Sequence, residues 1–283
     1  MALFEIVPNL SEGRDPAFLD AAEAVVAATG ARVLNRSSDA SHHRSVLTIA
    51  GSGRQVLDAG VALAGFAAER IDLRRHRGAH PRIGALDVLP FVPLRDATVE
   101  DAAALAHRAG ATIWQRYGVP SFYYGAAAKH ETRRQLPAVR RGQFEGLLDR
   151  FGDPAWAPDE GDIASHESAG AVAIGARDIL IAFNVELSSD DLAAAQAIAA
   201  AIRERSGGLQ TLRALGFALE NGRVQVSVNV TDFAATPLYR VVELIASLAA
   251  KRGIALERNE LVGCLPRAAV EATAAYYLGV TAL

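Results

Sequence analysis

The stretch LRALGFALENGRVQVSVNV, Leu212 to Val230, decides how the second half of the chain is built. Leu212 to Leu219 and Arg223 to Val230 both read as strands. Glu220-Asn221-Gly222 between them joins them as a hairpin, because an Asn-Gly pair supports a tight turn with positive φ. Upstream, Ile179 to Leu187 (ILIAFNVEL) reads as a strand. Ser188-Ser189-Asp190-Asp191 caps a helix that runs to about Ser206, where Gly207-Gly208 ends it. Downstream, Thr236-Pro237 opens a helix to Arg252, and Ala255 to Val262 returns as a strand. The order is β-α-β-β-α-β, the split βαβ arrangement.

The first half reads in the same order. Leu3 to Val7 is a strand, and Asp15-Pro16 caps and opens a helix that stops at Gly30. Arg32 to Asn35 and Ser45 to Ala50 are strands, and Gln55 to Ile71 is a helix. Leu86 to Leu94 follows, with prolines at 90 and 93 that suit an edge or strand end better than a central strand. A helix (Val99 to Tyr117) and a strand (Pro120 to Tyr124) are appended, and Arg150 to Gly175 reads as an irregular connection. The expected fold class is therefore α+β: two ferredoxin-like βαββαβ subdomains side by side, residues 1–177 and 178–283, with a tunnel or groove between them. Ligand sites favour such junctions.

Bulk properties narrow the function. The chain has 283 residues, 51% hydrophobic and 22% charged, with a formal charge of -3 at pH 7. That balance gives no basic field for nucleic acid. The single cysteine, Cys264, excludes a disulfide framework and a cysteine-rich zinc site. No apolar run approaches the ~20 residues that span a bilayer, and the N-terminus lacks a signal-peptide pattern. The expectation is a cytoplasmic protein with no membrane partner.

Four loops carry polar chemistry. PNLSEGR (Pro8 to Arg14), with Asn9, lies between a strand and a helix start; it reads either as an anion-orienting loop or as a capped turn. RSSDASHHRS (Arg36 to Ser45) holds Asp39, His42, His43 and Arg44. Adjacent strand histidines point to opposite faces, so a shared metal is disfavoured. A carboxylate at Asp39 that orients a histidine of a neighbouring loop fits better. HRGAHPRIGALDVLPF (His76 to Phe91) presents His80 ahead of Pro81, with Arg75, Arg77 and Arg82 beside it. An imidazole of ordinary pKa about 6.5 suits proton transfer near neutrality, and arginines suit carboxylates. DEGDIASHESAGAVAIGARD (Asp159 to Asp178) has neither a dinucleotide fingerprint nor a phosphate loop. It reads as a binding loop or as a linker.

Together these loops resemble the formiminotransferase family. The resemblance rests on VPNLSEGRD at Val7 to Asp15, SSDASHHRSVLTIAG at Ser37 to Gly51 and HRGAHPRIGALDVLPFVP at His76 to Pro93. YYGAAA at Tyr123 to Ala128, HESAGAVAIGARDILIAFNVEL at His166 to Leu187 and QVSVNVTDFAATPLYRVVE at Gln225 to Glu243 extend it over nearly the whole chain. It implies two ferredoxin-like subdomains around an electropositive tunnel, tetrahydrofolate as co-substrate, formiminoglutamate as donor, and a homodimer. It also implies a general base at His80, the histidine of the H-P-R triplet, and folate contact at the segment from Gly161 through His166 to Gly170. We expect Asp39 to orient His80 and Arg44 and Arg82 to hold carboxylates. Asn9 is expected to contact substrate, Asn184 and Asn229 the pterin, and no metal is expected. Ser41, His43, DEGD and HESAG depart from the family pattern. A related folate one-carbon activity and a non-catalytic folate binder remain as alternatives.

Overall fold

The computed structural model describes every residue except 41, 79, 163–165, 220, 282 and 283, and of Leu148 only the backbone. The departure at Ser41, the Glu220 turn position and part of the Gly161–Gly170 segment thus lie outside the described residues. The chain divides into two compact units, Met1–Asp178 and Ile179–Leu283.

The first unit contains β1 (Leu3–Ile6), β2 (Asn9–Leu10), α1 (Pro16–Ala27), β3 (Arg32–Asp39), β4 (Arg44–Gly51), α2 (Gly53–Arg70), β5 (Leu86–Arg95), α3 (Val99–Tyr117) and β6 (Ser121–Gly125). Two short helices, α4 (Leu136–Val139) and α5 (Leu147–Phe151), precede β7 (Val172–Ala176). Local chemistry sets the helix starts. The Asp15 carboxylate accepts the Ala17 N–H at 2.9 Å ahead of Pro16. Ser52 with Gln55, and Thr98 with Asp101, form capping boxes for α2 and α3. Each unites two otherwise orphaned donors with side-chain oxygens.

β3 pairs with β4, and β4 pairs antiparallel with both β1 and β2, which are two pieces of one strand broken at Val7-Pro8. β5 lies on their other side, and β7 then runs parallel between β5 and β6. One core packs Phe18, Leu63, Leu105 and Ile113 of the three long helices against Ile6, Leu47 and Phe91 of the sheet. A smaller core joins Val88, Phe122, Tyr124 and Ala173 to Val139, Leu147 and Phe151. β5, β6 and β7 are therefore covered on both faces.

Two expectations are corrected here. Val172–Ala176 is an interior strand, not part of an irregular connection. Buried on both faces, it shows no alternation, and its VAIGA sequence is short enough to pass for a loop. β5 is likewise central, in spite of its prolines. The Pro90 carbonyl accepts from Val7 N–H at 3.4 Å, so its N–H-less nitrogen faces the β1–β2 break. Phe91 O accepts from Arg177 N–H at 3.2 Å on the β7 side. Pro93, two residues on, faces that same side beyond the end of β7, where no ladder partner is needed.

The second unit contains β8 (Ile181–Leu187), α6 (Leu192–Ile202), β9 (Leu212–Ala218), β10 (Val224–Val230), α7 (Leu238–Ala250), β11 (Leu256–Val262) and α8 (Arg267–Leu278). Its four strands lie in the order β11-β8-β10-β9, all antiparallel. The hairpin turns through Gly222 at φ 79°, and Asn221 Oδ1 accepts the Arg223 N–H at 3.0 Å. Ile181, Val185, Val226 and Val228 face α6 and α7, through Ile198, Val241 and Ile245. α8 is an element the sequence reading left out. Among the described residues, no helix is long and apolar enough to cross a membrane.

The segment between β6 and β7 is fixed by a buried ion pair. Arg133 and Asp159 are both 1% exposed at the side chain and 3.0 Å apart. Arg133 also donates to the Ala155 and Ala157 carbonyls, each at 2.7 Å, while Asp159 accepts the Tyr123 N–H at 2.7 Å. Replacing Arg133 with Met leaves Asp159 buried without its cation. We expect a loss of ~3–5 kcal/mol, measured by urea unfolding of the variant against the parent chain.

Candidate active site

The loop between α2 and β5 is braced before it reaches His80. His76 is 5% exposed. Its Nδ1 accepts the Arg82 Nε–H at 3.1 Å, so the ring is neutral and its Nε2–H donates to the His43 carbonyl at 3.0 Å. Burial pushes the His76 pKa down in the same sense. Arg82 forks onto Glu145 at 2.8 and 2.7 Å. Gly78 lets this loop lie on the β3–β4 connection: a Cβ there would sit 2.5 Å from the His42 carbonyl oxygen.

His80 emerges from this frame half-buried. Arg44, at the start of β4, donates through Nη1 to His80 Nε2 at 2.5 Å and through Nη2 to Asn9 Oδ1. Asn9 is held in turn, because its Nδ2 donates to the Val7 carbonyl at 2.8 Å. An arginine has no lone pair to offer, so the Nε2 it faces must be unprotonated. The His80 pKa falls to about 2, first through burial and then through the charges of Arg44, Arg140 and His42; a hydrogen bond to the Pro81 backbone acts weakly the other way.

Arg44 itself drops to about 10, through burial and then Arg140. Among the described residues its Nε has no hydrogen-bond partner, and the same holds for Arg140 Nε. Arg140, just past α4, donates through Nη2 to Asp87 Oδ2. Asp87, 2% exposed on β5, accepts the Ile83 N–H at 2.8 Å with its other oxygen. The carboxylate thus ties the His80 loop to the second arginine. The cleft lined by Ser11, His42, Arg44, His76, His80 and Asp87 has about 170 Å³ of empty volume, none of it wide enough for a water-sized sphere. A wider opening, with about 490 Å³ of empty volume, lies at the start of α1. Its arginines are already engaged, Arg14 with the Ala40 and Arg77 carbonyls and Arg36 with Asp20 and Glu23.

The structure brings Asn9, Arg44 and His80 together, with Asp39 close by. Asp39 does not orient His80 as expected; its oxygens instead accept from His42, at the backbone N–H and at Nδ1, both at 2.8 Å. The His42 ring lies 6.4 Å from the His80 ring, centroid to centroid. Arg82 is a second correction. Its guanidinium is buried and already satisfied by Glu145, so it braces the loop instead of waiting for a substrate carboxylate. His166 folds back on its own turn: its Nδ1 accepts from Ser168 and Ala169 N–H, and it exchanges backbone hydrogen bonds with Gly170. Gly170 sits at φ 69°, where a Cβ would meet the Ile83 carbonyl oxygen at 2.2 Å. Gly161, at φ 112°, packs on Pro120 and Trp114. Glu167 is exposed and paired with Arg74 at 2.8 Å.

Asn184 and Asn229 belong to the second unit, on the sheet face away from α6 and α7. Asn184 donates to Glu260 at 3.0 Å, and Asn229 pairs in register with Ala182 and Arg213. Sequence reasoning missed Arg140 and Asp87. The available signal was Asp87 itself, a lone charge inside the apolar run ALDVLPF. No group of three or more histidine, cysteine or acidic residues among the described residues is arranged to hold a metal ion.

Residues 3–177 match the family described as "Formiminotransferase domain, N-terminal subdomain", and residues 182–282 match "Formiminotransferase domain". The chain is 39% identical to a glutamate formimidoyltransferase of Streptococcus pyogenes serotype M1, over 98% of this chain and 94% of that one. It is also 39% identical to a glutamate formimidoyltransferase of Thermoplasma acidophilum, over 98% of this chain and 93% of that one. A formimidoyltransferase-cyclodeaminase of Gallus gallus is 38% identical over 98% of this chain, which spans 52% of that longer protein.

The suppressed imidazoles make stability depend on pH. His43, His76 and His80 all have folded pKa values below the ordinary 6.5. The unfolded chain therefore binds protons that the folded chain refuses. Stability is full above about pH 6.5 and falls as pH drops below it, by at most ~1.4 kcal/mol per pH unit per group before solvent screening reduces the slope. Urea midpoints between pH 7.5 and 4.5 should fall less steeply in His80→Gln than in the parent.

Proposed function

The chain belongs to the formiminotransferase family, and from that premise we propose that it transfers the formimino group of N-formimino-L-glutamate to N5 of tetrahydrofolate, with His80 as general acid/base. One observation carries the residue assignment: a neutral, half-buried imidazole at the family's H-P-R histidine has its lone pair turned into an arginine-lined cleft. Attack of N5 on the amidine-like carbon gives a tetrahedral centre. Its collapse breaks the bond to the glutamate nitrogen, and the proton lost from N5 ends on that leaving amine. One imidazole that accepts the first proton and delivers the second performs both transfers, typically worth ~10²–10⁴-fold. Holding the two substrates in reacting contact supplies a further part of the acceleration.

Arg44 is the carboxylate-binding residue of this reading, and Asn9 fixes its direction. Asp39 supports the site through His42. Each unit is taken as ferredoxin-like, with the division near residues 177 and 178. The tunnel for folate and the homodimer rest on the family resemblance alone, as do the pterin contacts of Asn184 and Asn229 and a folate contact along Gly161 to Gly170. Glu167 lies on Arg74, so the altered HESAG loop gives no support to a non-catalytic folate binder. Donors such as formiminoglycine or 5-formyltetrahydrofolate use the same proton transfers and are separated by assaying each alone.

The test follows the absorbance change from formimino- to methenyl-folate in purified protein. His80→Ala should lose ~10²–10⁴ in turnover while retaining folate binding by calorimetry. Normal turnover in that variant would remove His80 from the chemistry.

A further inference from the structure

The site has a feature that a general base does not need. The lone pair that must take the proton is already occupied, by the Nη1–H of Arg44 at 2.5 Å. The cleft beside it is too narrow for a water molecule. Arg44 is bound there only to neutral acceptors, an imidazole nitrogen and the Asn9 amide oxygen. Among the described residues it forms no ion pair within 4.0 Å, and its Nε has no hydrogen-bond partner. Arg140 differs in having an ion pair, to Asp87 at Nη2, but among the described residues its Nε is likewise orphaned.

We propose that Arg44 is a carboxylate-released latch: it caps His80 Nε2 in the free protein and is drawn off it by a carboxylate of the incoming glutamate-type substrate, with Arg140 as the second arm of that carboxylate site. This rests on the reading of His80 as the acid/base. A carboxylate offers Arg44 charge-assisted bonds that an amide oxygen and an imidazole cannot match. Once the guanidinium turns toward it, Nε2 is uncovered and the cleft opens in the same movement. The added negative charge then lets the ring accept a proton only when substrate is present.

Every group facing the ring enters this balance. His42 comes from the β3–β4 connection, Arg44 from the start of β4, and Arg140 from the segment after α4. Asp87 on β5 is already committed to Arg140 and the Ile83 N–H. His76 and Arg82 are locked together, with Glu145 on Arg82. Glu12 lies 3.7 Å from His43 Nδ1. Asp39, whose charge also acts on Arg44, holds His42 with both oxygens. Among the described residues no carboxylate is in ion-pair contact with Arg44, so the release falls to the ligand.

The experiment uses full-length protein labelled with ¹⁵N-histidine, His80 being assigned from the signal lost in His80→Gln. Glutarate is the probe, and glutaramide its uncharged counterpart. Saturating glutarate should raise the His80 titration midpoint by at least about one pH unit, a tenfold gain in proton affinity, and glutaramide should leave it unchanged. In Arg44→Met the midpoint should already be raised and no longer respond to glutarate; Arg44→Lys should restore part of the response. In turnover, Arg44→Met should raise KM for formiminoglutamate on the order of 10- to 100-fold, with a smaller change in kcat. Glutarate binding that leaves the His80 midpoint unmoved, an Arg44→Met midpoint equal to the parent's, or no glutarate binding by calorimetry would each overturn the latch. The turnover of His80→Ala reports separately on the acid/base assignment, so the two failures are distinguishable.

Discussion

Burying an arginine without a carboxylate partner is the constraint around which the first unit is organised. An ion removed from water loses solvation worth several kcal/mol, and neutral acceptors return only part of it. The chain tolerates Arg44 because both of its acceptors are fixed in advance. Asn9 is pinned to Val7 by its own side chain, at the point where the first strand breaks and restarts. His80 is pinned by a loop whose other imidazole and arginine are locked together. A shift of one residue in the β2–β4 register would turn Asn9 to the opposite face and leave the guanidinium stranded.

The other half of the support comes from the doubly covered strands. β5 carries Asp87 into an otherwise apolar environment. Its two oxygens join the backbone just after His80-Pro81-Arg82 to the side chain of Arg140. Because β7 and β6 continue the sheet under a second small core, this carboxylate sits on rigid packing and not at a sheet edge. The His80 loop and the second arginine are consequently referred to one strand, which keeps their separation fixed, while Arg44 has no ionic tether among the described residues.

Much of this was legible in the sequence wherever local chemistry decides the outcome. Asp15, Asp191 and the Asn221-Gly222 turn act within a few residues of themselves, and they do in the structure what their types dictate. His80 and Arg44 could be singled out because a histidine held by proline beside arginines is unusual chemistry for a loop. Most of the failures share one cause, dependence on distant partners. Val172–Ala176 looks irregular until the strands on both of its sides are known. Pro90 and Pro93 look like edge residues until one sees that their missing N–H groups face a strand break and a strand end. Arg82 and Asp39 were given the wrong neighbours because Glu145 lies 63 residues from Arg82, and because His42, three residues from Asp39, is the nearer claim on its carboxylate.

The low proton affinity of His80 belongs to the site's economy of charge. Among the described residues, Arg140 has one carboxylate in direct contact, Asp87, and Arg44 has none, so burial and a positive field together keep the ring neutral. In the proposed latch, a substrate carrying carboxylates supplies the charge that the fold withholds. The same surplus discriminates against uncharged ligands, since a neutral molecule in that cleft would leave Arg44 without a counter-ion and the imidazole still capped. Selectivity and activation thus draw on one electrostatic imbalance, and a variant that cured it with an internal acid beside Arg44 would gain stability at the expense of both.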